Sequence, residues 1–234
     1  MSVFPSRARP HSDRMSRSEP VPHTLPSADP GLALRIWEWP GPGPPLLLLH
    51  GFGMSARVWD PIVPALAPRR VVAPDARGHG DSDPDPAPRD ATRTGVSDLA
   101  ALVDAAGLAP ITLVGHSMGA FVAIEFSAGW PERVDRLVLI DAGPELPPPP
   151  RPRRRAASGR TPPLTGFESE QAYAAALGVL YPRARPDLLR QLAPQWLRRR
   201  PDGRYEPKLD IRLVDTRAGA QATTDRRAGS KRLW

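Results

Sequence analysis

One five-residue stretch, GHSMG at 115–119, has the residue types and the spacing suited to acyl transfer. It fits the pattern G-x-S-x-G, in which a sharp turn between a strand and a helix holds a serine hydroxyl exposed. Gly115 and Gly119 remove side chains that would keep the strand and the helix apart. Ser117 is therefore the candidate nucleophile, and His116, inside the turn, is expected to point away from the serine hydroxyl.

A second stretch, HGF at 50–52, follows an unbroken apolar run. Acyl transfer needs fixed donors for the developing oxyanion, and the backbone amides of Phe52 and Met118 are the candidates for this oxyanion hole. His50 and Gly51 are expected to shape the loop. We interpret His50 as a buried histidine that bonds loop backbone, in preference to a general base.

Alternating strands and helices are predicted to position these residues. The run LALRIW at 32–37 has the alternation of a half-buried strand, whereas the run at 46–50 has none and is typical of a strand buried on both faces. Strands and helices of ordinary length then alternate, which predicts a doubly wound, mostly parallel α/β sheet. The further strands are predicted at 70–75, 111–116 and 134–141, and the helices at 55–66, 94–106 and 117–129. In such sheets ligands bind at the carboxyl ends of the strands, which is where His50, Asp75, Ser117 and Asp141 lie.

Three motifs, HGF, PDARGHGDSD and GHSMG, occur in an order and spacing that resemble the α/β-hydrolase superfamily over residues 30–143. This superfamily contains serine esterases, lipases, thioesterases and C–C bond hydrolases. The resemblance implies an α/β-hydrolase core, here incomplete, with a partial helical cap. It also implies a structural role for the RGHG loop with Arg77, His79 and Asp81. Members that open epoxides or displace halide carry an aspartate where Ser117 stands, so the resemblance implies acyl transfer from a carboxylic ester or related substrate.

A catalytic serine needs a general base, and the base needs an acid to orient it. The resemblance implies that these residues occur along the chain in the order serine, acid, histidine. The five histidines stand at positions 11, 23, 50, 79 and 116, and none follows Ser117. Asp141 is the candidate acid, with Glu145 as an alternative, and a loop-capping role for Asp141 stays open. We expect a truncated, frameshifted or split hydrolase gene that ends before the last two strands, and therefore impaired turnover.

Five regions are expected along the chain. They are a disordered N-terminal extension at 1–30, the hydrolase core at 31–145, a Pro- and Arg-rich linker at 146–165, a partial helical cap at 166–210 and an irregular C-terminal tail at 211–234. Two helices are predicted inside the cap. The strand at 134–141 would lie at an open sheet edge, which a partner chain could cover. A non-catalytic remnant that binds a ligand or a partner is therefore the alternative to an enzyme.

Composition and motifs argue against nucleic-acid binding, cofactor binding and membrane insertion. The net charge is +7, but arginine supplies nearly all of it without a recognition motif, so nucleic acid is not an expected partner. There is no cysteine, and neither a cluster of metal ligands nor a phosphate-binding loop occurs, so no metal or organic cofactor is expected. Neither a membrane-length apolar window nor a secretory signal is present. We therefore expect a cytoplasmic protein with a small acyl substrate and no membrane partner.

Overall fold

A six-stranded sheet forms the centre of the fold. The computed structural model describes residues 19–86, 91–142 and 166–214. The strands are β1 Val21–Pro26, β2 Ala33–Trp39, β3 Leu46–Leu49, β4 Val71–Pro74, β5 Ile111–His116 and β6 Val134–Ile140, in the spatial order β1-β2-β4-β3-β5-β6. The four strands from β4 to β6 run parallel, and β1 and β2 add an antiparallel extension. The predicted doubly wound, mostly parallel sheet is confirmed.

Both faces of the sheet are covered around β3, and its four leucines show why the run has no alternation. Leu47 and Leu49 belong to an apolar cluster with helices α2 (Ala91–Ala106) and α3 (Met118–Gly129). Leu46 and Leu48 belong to a second cluster on the opposite face, with Trp59. An apolar side chain is required at every position of such a strand, because each face has its own core.

The helix predicted over 55–66 is interrupted. The structure has a short 3-10 helix at Ala56–Trp59 and a single turn, α1, at Val63–Leu66. Proline lacks a backbone N–H and cannot continue a helical hydrogen-bond ladder. Pro61 falls between the two pieces and Pro64 lies in the first turn of α1, so the prolines divide one apolar stretch into two.

The expectation of disorder over 1–30 is wrong for its described part. β1 pairs with β2 along its whole length, and Leu25 is buried in the main core. Prolines are tolerated in this strand because it lies at the sheet edge, where a missing donor costs little. Pro22 and Pro26 are both exposed. Because prolines are rare in strands, they obscure the strand pattern of this segment in the sequence. Residues 1–18 lie outside the described ranges.

The cap is a small unit with its own core. It consists of α4 Glu170–Leu180, α5 Pro186–Trp196 and a hairpin of β7 Leu197–Arg199 and β8 Tyr205–Pro207. The sequence predicts helices over 167–181 and 186–200; both are present, but the second ends at Trp196, where β7 begins. Their buried side chains pack against Met54 and Val58, which places the cap over the loop that follows β3. The predicted linker at 146–165 and most of the predicted tail lie outside the described ranges.

β6 borders the sheet in the described part of the chain. Leu137, Val138 and Ile140 are exposed although they belong to an apolar strand. Among the helices that the structure describes, none has the length and apolarity needed to cross a bilayer.

Candidate active site

Ser117 has the backbone conformation of a nucleophile elbow. It lies between β5 and α3 with φ 50° and ψ −112°. A non-glycine residue rarely adopts this region, and the surrounding structure must hold it there. The Ser117 N–H donates to the carbonyl of Ile140 at 2.9 Å, and its carbonyl accepts from Ala120 at 3.0 Å. The serine is thus fixed to the neighbouring strand and to the first turn of the helix.

The two flanking glycines are required by sterics. A Cβ at Gly115 would lie 2.5 Å from the carbonyl oxygen of Gly119, and a Cβ at Gly119 would lie 2.6 Å from the carbonyl oxygen of Leu49. Both approaches involve backbone, which cannot swing aside as a side chain can. The close contact of β3, β5 and α3 therefore needs glycine at both positions.

The HGF loop lies directly against the elbow. A Cβ at Gly51 would lie 2.7 Å from Nδ1 of His116 and 3.4 Å from Cβ of Ser117. Phe52, the next residue, packs its ring edge-on against His79 with centroids 5.4 Å apart. The structure thus brings together Gly51, His116 and Ser117, with the backbone of Phe52 and Met118 one residue away.

Both ring nitrogens of His50 are used by loop backbone. Nε2 accepts the N–H of Ala76 at 2.9 Å, so Nδ1 carries the proton and donates to the carbonyl of Gly51 at 2.8 Å. Burial lowers the pKa of His50 to about 4. A neutral imidazole with both nitrogens bonded to backbone links the HGF loop to the RGHG loop, and it has no nitrogen left for Ser117.

His79 is also held by backbone. Its Nδ1 donates to the carbonyl of Arg77 at 2.9 Å, and its ring lies 5.3 Å from that of His50. Burial, with a further contribution from His50, lowers the pKa of His79 to about 3. Such a group is a weak base near neutral pH.

Asp75, at the end of β4, is an anchor for two loops. Its carboxylate accepts the N–H of Ala56 at 2.7 Å, the N–H of Asp81 at 3.0 Å and the indole N–H of Trp37 at 3.1 Å. Burial raises the pKa of this carboxyl group. Although Asp75 stands at a strand end like Ser117, its oxygens are occupied by loop backbone and by Trp37.

Arg77 is the centre of a buried ion cluster that the sequence analysis did not anticipate. Its Nε and Nη2 donate to both oxygens of Asp98 at 2.6 and 2.8 Å, and Nη1 donates to Asp29 and, at 3.3 Å, to Asp85. Asp98 lies on α2 and Asp29 follows β1. The cluster therefore ties the RGHG loop to two separate elements, and only the tertiary structure brings its members together.

A second unanticipated contact is a strap formed by residues 208–214, which crosses the RGHG loop. Gly80 donates its N–H to the carbonyl of Lys208 at 2.8 Å, and Asp210 donates to the carbonyl of Gly78 at 2.7 Å. The Lys208 ammonium lies 2.8 Å from a carboxylate oxygen of Asp81. These contacts link the cap to the loop next to the elbow. The sequence gives no periodic signal for the strap, because backbone groups make most of its bonds.

Asp141 directly follows β6 and has φ 55°, an unusual value for a residue with a side chain. It is exposed and adjoins Ile140, whose carbonyl accepts the Ser117 N–H. Asp141, the candidate acid, is thus the residue directly after Ile140, whose carbonyl binds the Ser117 N–H. Glu145, the alternative acid, lies outside the described residues.

The remaining described histidines are placed elsewhere. His23 on β1 pairs with Glu38 at 2.9 Å, and His116 lies against Gly51. Within residues 19–86, 91–142 and 166–214, no histidine donates to or accepts from the Ser117 hydroxyl. His11 is outside these ranges.

A cavity of about 60 Å³ lies behind the elbow, beside Met118 and Gly119. Its wall combines apolar side chains, among them Leu49, Leu99 and Val122, with polar residues: His50, Asp75, Arg77, His79, Asp85, Thr94 and Asp98. Among the described residues, no group of three or more histidine, aspartate or glutamate side chains is arranged to hold a metal ion.

The two buried loop histidines predict a pH-dependent stability. Their folded pKa values of about 4 and about 3 lie below the unfolded value of about 6.5. The unfolded chain therefore binds protons that the folded chain excludes, and the free energy of unfolding should fall as the pH falls from about 6.5 to 4. We expect a loss on the order of 3 kcal/mol for His50 alone, since one pKa unit is worth about 1.4 kcal/mol.

Urea denaturation at several pH values would measure this dependence. His79→Asn keeps a donor for the Arg77 carbonyl and should reduce the slope. An unchanged slope in this variant would show that His79 does not contribute.

Comparison with known proteins gives the family context. The chain matches the Alpha/beta hydrolase family over residues 46–231. An uncharacterized protein of Mycobacterium tuberculosis is 40% identical over 112 residues, which are 47% of this chain and 32% of that protein. A putative carbamate hydrolase of Azorhizobium caulinodans is 36% identical over 118 residues, which are 50% of this chain and 44% of the relative. The chain therefore spans less than half the length of these curated relatives.

A solved structure also resembles the chain. The crystal structure of E-2-(acetamidomethylene)succinate hydrolase has a TM-score of 0.72 and 24% identity, and the match covers 87% of this chain and 74% of that one. At this identity the likeness shows the fold alone.

Proposed function

Since the chain belongs to the alpha/beta hydrolase family, we propose that it is a serine hydrolase by descent that acts on a carboxylic ester or related acyl substrate. The observation that carries the proposal is the conformation of Ser117, with φ 50° and ψ −112°. It lies at a strand-to-helix junction where Gly115 and Gly119 allow the backbones to pack closely. Strain of this kind is retained where exposure of the hydroxyl is useful.

The proposed reaction proceeds through an acyl-enzyme. The Ser117 Oγ attacks the acyl carbon and loses its proton, and the amides of Phe52 and Met118 donate to the resulting oxyanion. The N-terminus of α3 contributes a partial positive charge at the same place. Collapse of the intermediate expels the alcohol, which takes up a proton. Water then hydrolyses the acyl-serine and releases the carboxylic acid.

Both steps need a general base, and this requirement limits the activity of the chain. His50 and His79 are bonded to backbone and have lowered pKa values, and none of the five histidines follows Ser117 in the sequence. Asp141 could orient a base next to the elbow, but it needs a histidine to act on. We infer impaired turnover by this chain, because acid–base catalysis usually supplies about 10² to 10⁴ in rate.

Hydrolysis of a short p-nitrophenyl ester tests the proposal. We expect a steady-state rate at least roughly a hundredfold below that of a family esterase with a complete triad assayed in parallel. The residual rate should disappear in Ser117→Ala, because among the described serines Ser117 alone has a positive φ, and it lies against the HGF loop. A rate within roughly tenfold of the complete esterase would show that a base we assign to structure is catalytic.

A second candidate function is binding of a partner chain, and the exposed edge at β6 favours it. Leu137, Val138 and Ile140 are exposed on a strand whose outer backbone groups face no other strand in the described part of the chain. Such an edge accepts a further strand readily. Under this alternative, the pocket binds a ligand but does not catalyse a reaction.

Sedimentation of the purified chain distinguishes the two functions. Partner binding through β6 predicts self-association or a bound chain, and Leu137→Lys should reverse it by placing a charge on the edge. A folded monomer at high concentration would remove the need for a partner.

A further inference from the structure

The exposed residues of α4 are uncharged, and after Gln171 all of them are apolar. No charged residue occurs from Gln171 to Pro182. The inner side of the helix is buried in the cap core through Tyr173, Ala174 and Leu177. The outer side is open, and at its C-terminal end Val179, Leu180 and Tyr181 are 57%, 47% and 36% exposed. A surface helix normally has polar residues on its outer face, so an apolar outer face requires an explanation.

The tip between α4 and α5 is a defined structure. The Tyr181 N–H donates to the carbonyl of Leu177 at 2.7 Å, and the Ala184 N–H donates to the carbonyl of Tyr181 at 2.9 Å. The helices pack against each other on both sides of this turn. The exposed residues are therefore presented on a fixed support. We call Val179, Leu180 and Tyr181 the apolar tip.

Exposed basic residues follow the apolar tip along the chain. Arg183, Arg185 and Arg190 are all exposed, and Asp187 is the one acidic residue between positions 171 and 197. Asp187 pairs with Arg185. Arg183 has no acidic residue within three positions along the chain, and Asp187, three positions before Arg190, already pairs with Arg185. The tip therefore has an excess of positive charge.

We propose that the apolar tip binds the surface of an anionic lipid bilayer, with Val179 and Leu180 entering the interface and the arginines meeting lipid headgroups. Shallow burial of apolar side chains combined with attraction to anionic lipids is the usual basis of peripheral membrane binding. The charge pattern favours this partner over a neutral apolar groove, since a rim of arginines would have to be desolvated there without counter-charges. This inference concerns the cap surface and does not depend on the proposed hydrolase activity.

The proposal departs from the expectation of no membrane partner, which followed from the lack of an apolar window long enough to span a bilayer. Peripheral binding needs only a few exposed side chains at one surface. In the sequence, Val179 and Leu180 continue the apolar run of α4. The sequence alone therefore suggests that they form the end of a buried helix.

Co-sedimentation of the full chain with lipid vesicles tests the proposal. We expect binding to vesicles of phosphatidylcholine and phosphatidylglycerol in equal amounts, and much weaker binding to phosphatidylcholine alone. The double variant Val179→Ser and Leu180→Ser should lower the partition coefficient roughly tenfold, because it removes the apolar contribution. Arg183→Gln with Arg190→Gln should lower it roughly thirtyfold, since each arginine near the surface contributes about 1 kcal/mol.

A control uses two apolar residues that are also well exposed, elsewhere on the surface. Val21 and Ile62 are 44% and 43% exposed, and the double variant Val21→Ser and Ile62→Ser should bind like the wild type. All variants share the arginines of 143–165 and 215–234, so non-specific attraction by those segments affects them equally. Equal binding by wild type and the tip variant would overturn the proposal. So would an absence of vesicle binding, or equal binding to both vesicle types.

Discussion

Arg77→Met is expected to lower the free energy of unfolding by about 3–5 kcal/mol. The guanidinium of Arg77 pairs with both oxygens of Asp98 and with Asp85, and all three side chains are buried. Removing the arginine leaves the buried carboxylate of Asp98 without the cation that pairs with both of its oxygens. Since a domain of ordinary stability has about 5–15 kcal/mol in total, this single change could unfold a large fraction of the protein.

Denaturant titration of Arg77→Met beside Arg133→Met would measure the effect. Arg133 pairs with Asp104 at 2.6 Å, but both side chains are substantially solvated, so its loss should cost no more than about 1 kcal/mol. Equal midpoints for the two variants would contradict the view that the buried cluster stabilises the RGHG loop. If Arg77→Met fails to fold, recovery of folding in Arg77→Lys would show that the charge is the missing element.

Gly119→Ala is expected to destabilise the protein by about 2 kcal/mol and to displace the elbow. The new Cβ would lie 2.6 Å from the carbonyl oxygen of Leu49, so α3 would have to move away from β3. Alanine is favoured over glycine in a helix by about 1 kcal/mol, so propensity alone predicts the opposite sign. The sign of the effect therefore decides between close packing and helix propensity.

Gly129→Ala in the same helix is the matched control, because a Cβ at Gly129 meets no atom within 4 Å. We expect this variant to be neutral or more stable by up to about 1 kcal/mol. Thermal denaturation of both variants gives the comparison. A Gly119→Ala protein as stable as the wild type would mean that strand and helix do not need to approach so closely.

Periodicity and motifs were sufficient to predict the parallel part of the sheet. The leucines of β3 fill two cores, so their run has no alternation, and the glycines around Ser117 mark a contact between a strand and a helix. β1 could not be predicted in this way. Its prolines resemble those of a disordered segment, and only its pairing with β2 and the burial of Leu25 make it a strand.

The surroundings of the site were harder to predict because they depend on tertiary contacts between distant positions. Arg77 meets Asp98 and Asp29 from two other elements, and residues 208–214 reach the RGHG loop across more than a hundred positions of sequence. The unusual φ of Asp141 is likewise invisible in the residue type. The nucleophile could be proposed from sequence because strand, serine and helix are contiguous, whereas its supporting contacts are not.

The most direct test of the central claim is peptide mass spectrometry after incubation with p-nitrophenyl acetate. Without a positioned base both steps are slowed, but acylation by this ester is slowed less, because p-nitrophenolate leaves without taking up a proton whereas deacylation needs an activated water. Acyl-enzyme should then accumulate. We predict an acetyl group on Ser117, absent from Ser117→Ala, while the exposed Ser97 stays unmodified. Acetylation of Ser117 no greater than that of Ser97 would contradict the assignment of Ser117 as the nucleophile.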